Sequence, residues 1–583
     1  MISYPEIIDW TPKYFIANQS NCNSILEDPT MRKEIPLINN APLHNFKDQQ
    51  LIRFRGMIQD MYNPEFYFQQ FEVKNIKTGE CDVKCGLYAD AAHCTENEEI
   101  LLDSKNNQSS ERQTCVVISV PGLNDWVKEK DEYSHKSEDE NLTTCSNYKR
   151  SLDECEEMDC SEPMQKKERT LSQENNMDTE AITESDKKPL TVSNDHLLNF
   201  PIPINNGKAC IVKIYDEISL KLNQVIEVIG FISLDPLLSC TKYSDDTMTE
   251  AEKNTHHPPA SLVPRLHAIK VFLIAKHDIN NAPEIICRAQ SIRSDLHLIL
   301  SQLLFGDHLA ADYLICHLLS TIYMRKDFLC LGTFPLNITH FPATKYKKFP
   351  KDFYNILRLF VQKSHLLEIT LKNLNDFALL PKKDYECDRL TSGILQLSNN
   401  THLIVDETGL TTGQLSQAGR DNYNAIGDLI NFQKVKYDFK YYTMEYETDI
   451  PVLILSEAKS FIPCHTQIIL KTDTDSENLY PQIVEMINQY LKDENRLTNI
   501  RQYIEVLKHA EFKFNEDIVK VVQEDFIQMR QKDENINADH LHALMILARL
   551  ISLSNGSNVL TTEYWKRAVE METERLNRIP SHK

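Results

Sequence analysis

Residues 393–408 read GILQLSNNTHLIVDET. Two apolar runs, one opening at Gly393 and the other Leu403 to Val405, flank a Ser-Asn-Asn turn, and the second runs straight into Asp406 and Glu407. The pattern predicts two strands joined by a tight turn. A strand ending in two consecutive carboxylates is how a Walker B segment ends in nucleotide-driven motors. One carboxylate there sits in the magnesium shell and the next beside the attacking water, while a glycine-rich loop with a lysine and a hydroxyl holds the phosphates. Two acids at a strand end are also an ordinary polar terminus, so the reading turns on whether the phosphate loop exists.

The chain has only 14 glycines, and none opens such a loop. The Gly207-Lys208 pair is followed by Ala209 and has no glycine five residues before it. Gly306, in LLFGDHLAADYLICHLL, enters a helical pattern as a phosphate loop would, but the spacing puts Ala311, Asp312 and Tyr313 where the second glycine, the lysine and the hydroxyl belong. An aspartate there repels a triphosphate. Residues 294–325 therefore read as two packed helices with no site between them, and Asp406 and Glu407 as a vestigial Walker B end. No catalytic residue and no cofactor is assigned.

With 583 residues, 41% of them hydrophobic, the chain is long enough for several domains. A net charge of -22 argues against a protein whose main work is to hold a phosphate backbone. Met1 to Trp10 lacks a basic start followed by an apolar run, and the most apolar region is broken by Asp307, His308 and Asp312, so neither a secretory signal nor a membrane span is expected. The 15 cysteines include no Cys-x-x-Cys pair and read as free thiols of a reducing compartment. Cys81, Cys85, His93 and Cys94 are a local cluster, but their gaps do not make paired zinc knuckles, and no metal is expected.

Residues 1–127 read as an N-terminal segment and the first part of a β domain, 128–194 as a disordered acidic and polar insertion, 195–284 as the rest of the β domain, 285–480 as an α/β domain and 481–583 as a helical subdomain. The insertion has too few aliphatic and aromatic side chains to offset its ordering entropy. Its Lys149-Arg150 and Lys166-Lys167-Glu168-Arg169 clusters read as solvated charge or as a divided nuclear localisation signal. Ser239 to His257 reads as a further polar loop. Ile52, Phe54, Gly56 and Ile58 alternate with Arg53, Arg55, Met57 and Gln59, and Phe66 to Val73 follows after an Asn-Pro turn, which predicts a half-buried hairpin. Ala209 to Tyr215 and Val225 to Ser233 add strands of a small curled barrel, giving an interrupted OB-like fold. In such a barrel Arg53, Arg55, Tyr67 and Phe68 would offer a basic and aromatic face to single-stranded nucleic acid, or else an ordinary outer face with core aromatics.

Helical patterns run over Ser294–Phe305 and Asp307–Arg325, strands over Phe328–Leu336, Leu366–Leu371, Leu403–Val405 and Val452–Ser456. Five helices follow: Pro481–Lys492, Leu497–Ala510, Asn515–Gln531, Asn537–Ser554 and Thr562–Asn577. Leu541, Leu544, Ala548 and Ile551 recur at helical spacing in the fourth and should face a core.

The order of these pieces resembles the AAA+ part of the minichromosome maintenance (MCM) helicases. GILQLSNNTHLIVDET is similar to their Walker B segment, HLILSQLLFG to their leucine-rich helix, and NADHLHALMILARLISLSNGSNVLTTEYWKRAVEM to their lid helices, with Asp539 where the lid's nucleotide-sensing arginine would fall. RFRGMIQDMYNPEFY, ERQTCVVISVPGLNDWV, HHPPASLVPRLHAI, GDHLAADYLICHLLS and LQLSNNTHLIVDETGL, in that order, resemble the MCM complex-binding protein family over nearly all of the chain outside the insertion. The resemblance implies an α/β and β multidomain protein, an OB-like barrel region followed by a degenerate AAA+ (MCM-like) domain with a C-terminal helical lid. It also implies a nuclear, non-enzymatic regulator of DNA replication that binds MCM helicase subunits and reaches chromatin indirectly. Such a protein assists assembly or protection of the subunits, promotes their release from chromatin late in S phase and has a role in sister chromatid cohesion. Membranes and small-molecule substrates are not among its expected partners. Asp312 and Asp539 argue against nucleotide binding; a single-strand nucleic-acid adaptor and a residual ATPase are the competing readings.

Overall fold

The computed structural model describes residues 6–92, 94–95, 97–128, 193–234, 249–274, 281–326, 329–343, 345–532 and 536–579. The insertion at 128–194 and its two basic clusters lie, apart from its end residues, outside the described residues. The protein is a mixed α/β multidomain chain with several sheets.

The first sheet contains β1 (Leu51–Met61), β2 (Glu65–Asn75), β3 (Cys81–Cys85), β4 (Glu98–Ile100), β5 (Gln108–Ile118), β6 (Ala209–Ile214), β7 (Val225–Ser233) and β8 (Arg265–Leu273). The pairings run β1 to β5, β5 to β6, β6 to β8, β8 to β7 and back to β1, with β6 and β8 parallel and the others antiparallel. Two glycines allow the strands to cross this tightly: a Cβ on Gly56 would lie 2.5 Å from the Ile118 carbonyl oxygen, and one on Gly230 2.2 Å from that of His267.

The expected hairpin of β1 with β2 is not formed; each pairs with a different stretch of β5. Nor is β1 half-buried. One face carries Ile52, Phe54 and Ile58 into the core between the strands, while Leu51 on the other is covered by Trp10, Phe15 and Leu26 from the N-terminal segment. Alternation therefore misled at Arg53, whose side chain is buried because a carboxylate waits for it on β7. The loop expected over Ser239 to His257 holds, in its described part, the helix Glu250–His256, opened by a capping box between Thr249 and Glu252.

After a short hairpin of β9 (Met324–Lys326) and β10 (Leu329–Leu331), the chain builds a parallel sheet from β11 (Leu336–Thr339), β12 (Ser364–Glu368), β15 (His402–Asp406), β18 (Val452–Ser456) and β19 (Gln467–Ile469). The order is β12-β15-β18-β11-β19. A second small sheet, β14-β13-β16-β17, uses β13 (Lys382–Asp384), β14 (Arg389–Thr391), β16 (Lys434–Asp438) and β17 (Thr443–Glu447). Parallel strands covered on both faces read as unbroken apolar runs, and LIV and VLIL are such runs. Leu403 and Val405 point to a cluster with the helix Gln417–Phe432, and Ile404 to the cluster of the remaining helices.

Residues 393–398 are not a strand. Leu395 and Leu397 are buried in irregular chain, and the Asn turn survives with Asn400 at φ 64°. Side chains from the first sheet satisfy the neighbouring backbone: Asp60 accepts from the Leu390 amide (2.7 Å), and Gln59 donates to the Leu390 carbonyl (2.9 Å). The helices Ala289–Leu303 and His308–Leu319 pack in one apolar cluster with the C-terminal helices Tyr480–Tyr490, Glu494–Lys508, Glu516–Lys532, Ala538–Ser554 and Thr562–Arg578. The second of these stops at Leu319, six residues short of Arg325, where Thr321 turns to donate to Asp449 (2.6 Å).

Candidate functional site

The apolar run of β15 carries Asp406 to the C-terminal edge of the parallel sheet, in register with Glu368 of β12. Asp406 is buried and accepts from the Thr408 amide (2.9 Å), a local turn contact. Glu407 is engaged more fully. Its Oε1 accepts from the Ile462 amide and the Ser460 hydroxyl, and its Oε2 from the Phe461 amide, each at 3.0 Å. Burial raises its carboxyl, with Asp406 adding to the effect and the three hydrogen bonds opposing it. Glu407 thus pins the loop that follows β18; its oxygens face protein donors.

One of the loops that leave this sheet at the same edge and enter a helix is 340–348, between β11 and the helix Phe349–Leu357. Lys351 of that helix pairs with Glu368 at 2.9 Å and feels the Asp406 charge, which places the helix beside the acids. Counted on phosphate-loop spacing from His340, Lys345, Tyr346 and Lys347 occupy the second-glycine, lysine and hydroxyl positions. His340 holds φ 63°, a left-handed conformation that favours glycine. The Tyr346 ring lies 5.1 Å from that of Tyr480 and 6.0 Å from that of Phe305, and its hydroxyl donates to the Glu477 carbonyl (2.6 Å). Phe341 and Phe349 stand 4.6 Å apart beside them. Where a phosphate loop would turn backbone amides toward an anion, this loop turns aromatic rings toward the helices.

Gly306 is not the remnant of that loop. It lies at φ 86° between two helices, with no sheet strand before it. Asp312, six residues on, takes a hydrogen bond from Arg293 (2.7 Å) and faces Arg567 (3.5 Å) and His297 (3.5 Å). It is a counter-ion tying three helices together. Asp307 acts alike: it caps the helix through the Ala310 amide (3.1 Å), accepts from the Lys471 amide (2.9 Å) and pairs with Arg578 (2.6 Å). Asp539 is exposed in the first turn of its helix, its amide donating to the Asn537 cap (3.0 Å), a favourable place for an acid.

The expected nucleic-acid face is not assembled. Arg55 donates to Glu227 at 2.8 Å and Arg53 lies 3.6 Å from the same carboxylate. Tyr67 and Phe68 are on β2, where Tyr67 lies under the Arg112 guanidinium (5.3 Å) and Phe68 against Phe71. Of the cysteine cluster, Cys81, Cys85 and Cys94 are exposed thiols and His93 lies outside the described residues. Sequence spacing did not anticipate that Glu252 and His256, one turn apart, meet Asp388 with ligand atoms within 4.8 Å of one another. Asp388 is already paired with Lys383 (2.7 Å). Among the described residues no helix is long and apolar enough to cross a membrane.

The class defined by this arrangement is a multidomain α/β protein whose acidic strand end is absorbed into packing, as are the aromatic rings of the 340–348 loop. The family model described as mini-chromosome maintenance replisome factor matches residues 22–579. The chain is 36% identical to the mini-chromosome maintenance complex-binding protein of Drosophila melanogaster, over 98% of this chain and 97% of that one. It is 36% identical to the protein of that name from Mus musculus and 35% to that from Homo sapiens, in each case over 96% of this chain and 93% of the relative. The chain belongs to the mini-chromosome maintenance complex-binding protein family.

Proposed function

We propose that this chain is a non-enzymatic binding partner of MCM helicase subunits in the nucleus. It acts in DNA replication by assisting assembly or protection of those subunits and by promoting their release from chromatin late in S phase, with a role in sister chromatid cohesion; its contact with chromatin is indirect. The observation that carries the reading is near-full-length similarity to relatives whose name states that they bind the mini-chromosome maintenance complex.

The mechanism is subunit mimicry. Five strands whose pairings return to β1 support an OB-like barrel. The parallel order β12-β15-β18-β11-β19, with acids ending β15 and helices after β19, supports a degenerate AAA+-like domain with a helical lid. Tyr346 in the lysine position and Glu407 held by the 460–462 loop support a domain that keeps a ring subunit's shape without its turnover. The pairing of Arg53 and Arg55 with Glu227 leaves the nucleic-acid adaptor without a supporting face. Purified full-length chain, immobilised and incubated with nuclear extract, should retain MCM subunits in an ATP-independent manner. Failure to retain them sinks the reading, and ATP hydrolysis lost in Glu407→Gln would replace it with the enzymatic one.

A further inference from the structure

At the other edge of the parallel sheet, opposite the acids, a cleft of about 350 Å³ opens between the first sheet, the segment around Val127 and the helix Glu494–Lys508. On a chain of net charge -22 its walls are cationic: Arg55, Lys363, Arg501, Lys508 and His509 line it, against the single carboxylate of Glu505. Arg55 is paired with Glu227, Arg501 with Glu494 (3.2 Å), and Glu505 lies 3.4 Å from His509. The two lysines stand differently. Lys363 donates to the Ser398 hydroxyl (2.9 Å) and the Asn399 carbonyl (2.6 Å), both neutral. Lys508, only 3% exposed, has the ring of His402 at 3.4 Å as the partner of its ammonium.

The carboxylates of Asp449 and Glu505 act on both ammonium groups and offset part of their burial cost, but the hydrogen-bond partners of the two lysines named here are neutral, which leaves room for a further anion. His402 does not supply one: burial and the nearby lysines keep its imidazole deprotonated, so it is neutral. Beside the lysines the cleft offers apolar surface from Val127, Phe360 and Ile504, and a buried Asn400 Oδ1 with no hydrogen-bond donor. Ammonium groups for a carboxylate, apolar wall for its neighbour and an amide oxygen for a backbone N–H together describe a peptide site.

We propose that this cleft binds an acidic, aliphatic peptide segment of a partner protein, one carboxylate reaching Lys508 and Lys363 while an adjacent aliphatic side chain lies on Val127, Phe360 and Ile504. The inference rests on the proposed function only for the class of occupant, a protein. Charge complementarity selects an acidic segment over a basic one, and the apolar wall selects a peptide over a bare phosphate chain.

The test is fluorescence anisotropy with purified full-length chain and a panel of fluorescein-labelled octapeptides alternating Asp or Glu with Leu or Ile. Saturable binding is expected, weakened at least tenfold by Lys508→Met and by Lys363→Met in variants that melt no lower than the parent, and absent for peptides with Lys in place of the acids. Inorganic phosphate should compete weakly, and a thymidine 20-mer no better than its phosphate content predicts. No binding, binding unchanged in both lysine variants, or stronger binding of the oligonucleotide would each overturn the site. Retention of MCM subunits by the parent without lysine-dependent peptide binding discards the cleft and leaves the proposed function standing. Lysine-dependent peptide binding without MCM retention does the reverse.

Discussion

Strand β15 begins at His402, against the buried ammonium of Lys508, and ends four residues on at Asp406, which leads into Glu407. At the acidic end each carboxylate named above has protein donors or a cationic partner: Glu407 the 460–462 loop, Glu368 Lys351, and farther along that side Asp307 has Arg578. At the basic end two lysines face neutral oxygens and an uncharged ring. The difference teaches that a motif resembling catalysis can be fully used up in packing, while the unbalanced charge lies where no motif pointed. The same strand displays both.

If the carboxylates are structural, removing one should weaken the fold. The largest effect is expected for Asp307→Ala, which strips a cap and an almost fully buried pair with Arg578, 1% and 6% exposed at their side chains. A loss of about 3–5 kcal/mol is expected in urea unfolding of the full chain; a change below about 1 kcal/mol would break the comparison at its acidic end.

Glu407→Ala leaves two backbone amides and a hydroxyl without their acceptor, for an expected loss of about 2–4 kcal/mol. Because the folded carboxyl is raised above its unfolded value, the unfolded chain gives up this proton first, so stability falls as pH climbs above about 4.5 and levels off past the folded pKa. Glu407→Gln should flatten that decline in melting curves taken across pH 4–7.

The basic end has the opposite sign. Burial lowers the imidazoles of His317, to about 4, and of His402, so the unfolded chain takes up their protons first as pH drops below 6.5. Each should contribute an acid-side loss of about 1.4 kcal/mol per pH unit between pH 6.5 and 5. His402→Gln should remove one such proton from the linkage, and an unchanged slope would mean the ring is already solvated. The smallest effect, a gain, is expected for Lys508→Met: an apolar side chain of similar length in place of a buried charge that Asp449 and Glu505 only partly offset should raise stability by up to about 2 kcal/mol at pH 7. The folded ammonium is lowered by burial, so this advantage should shrink as pH rises toward 10.5. A clear loss at pH 7 would show that Asp449 and Glu505 outweigh the burial cost.

What the sequence made legible follows from periodicity. Val452–Ser456 and Val225–Ser233 were bounded to the residue, and the C-terminal helices to within a few residues. Unbroken apolar runs and helical spacing are local signals. What was not legible depended on distant partners. Arg53 looked solvent-facing because Glu227 is 174 positions away in the chain, and the residues after Gly393 looked like a strand because their burial, supplied by other segments, resembles a strand's in composition. Asp312 is a counter-ion for Arg293 of another helix, and strand order in a parallel sheet is invisible to spacing. The aromatic letters of HFPATKYKKFP, following a short apolar strand, were the one available clue to the 340–348 loop.

The clasp between β1 and the chain at 390–392 bears on how such a protein can be dissected. Gln59 and Asp60 reach across to Leu390, and Asn199 donates to the same carbonyl (2.8 Å) while accepting from the Ser392 amide (2.9 Å). A cut at residue 284 or 285 would sever neither half's sequence motifs, yet it would strand these buried groups on both sides. Truncation mapping would then report misfolding as lost affinity, and point substitutions in the intact chain are the safer instrument.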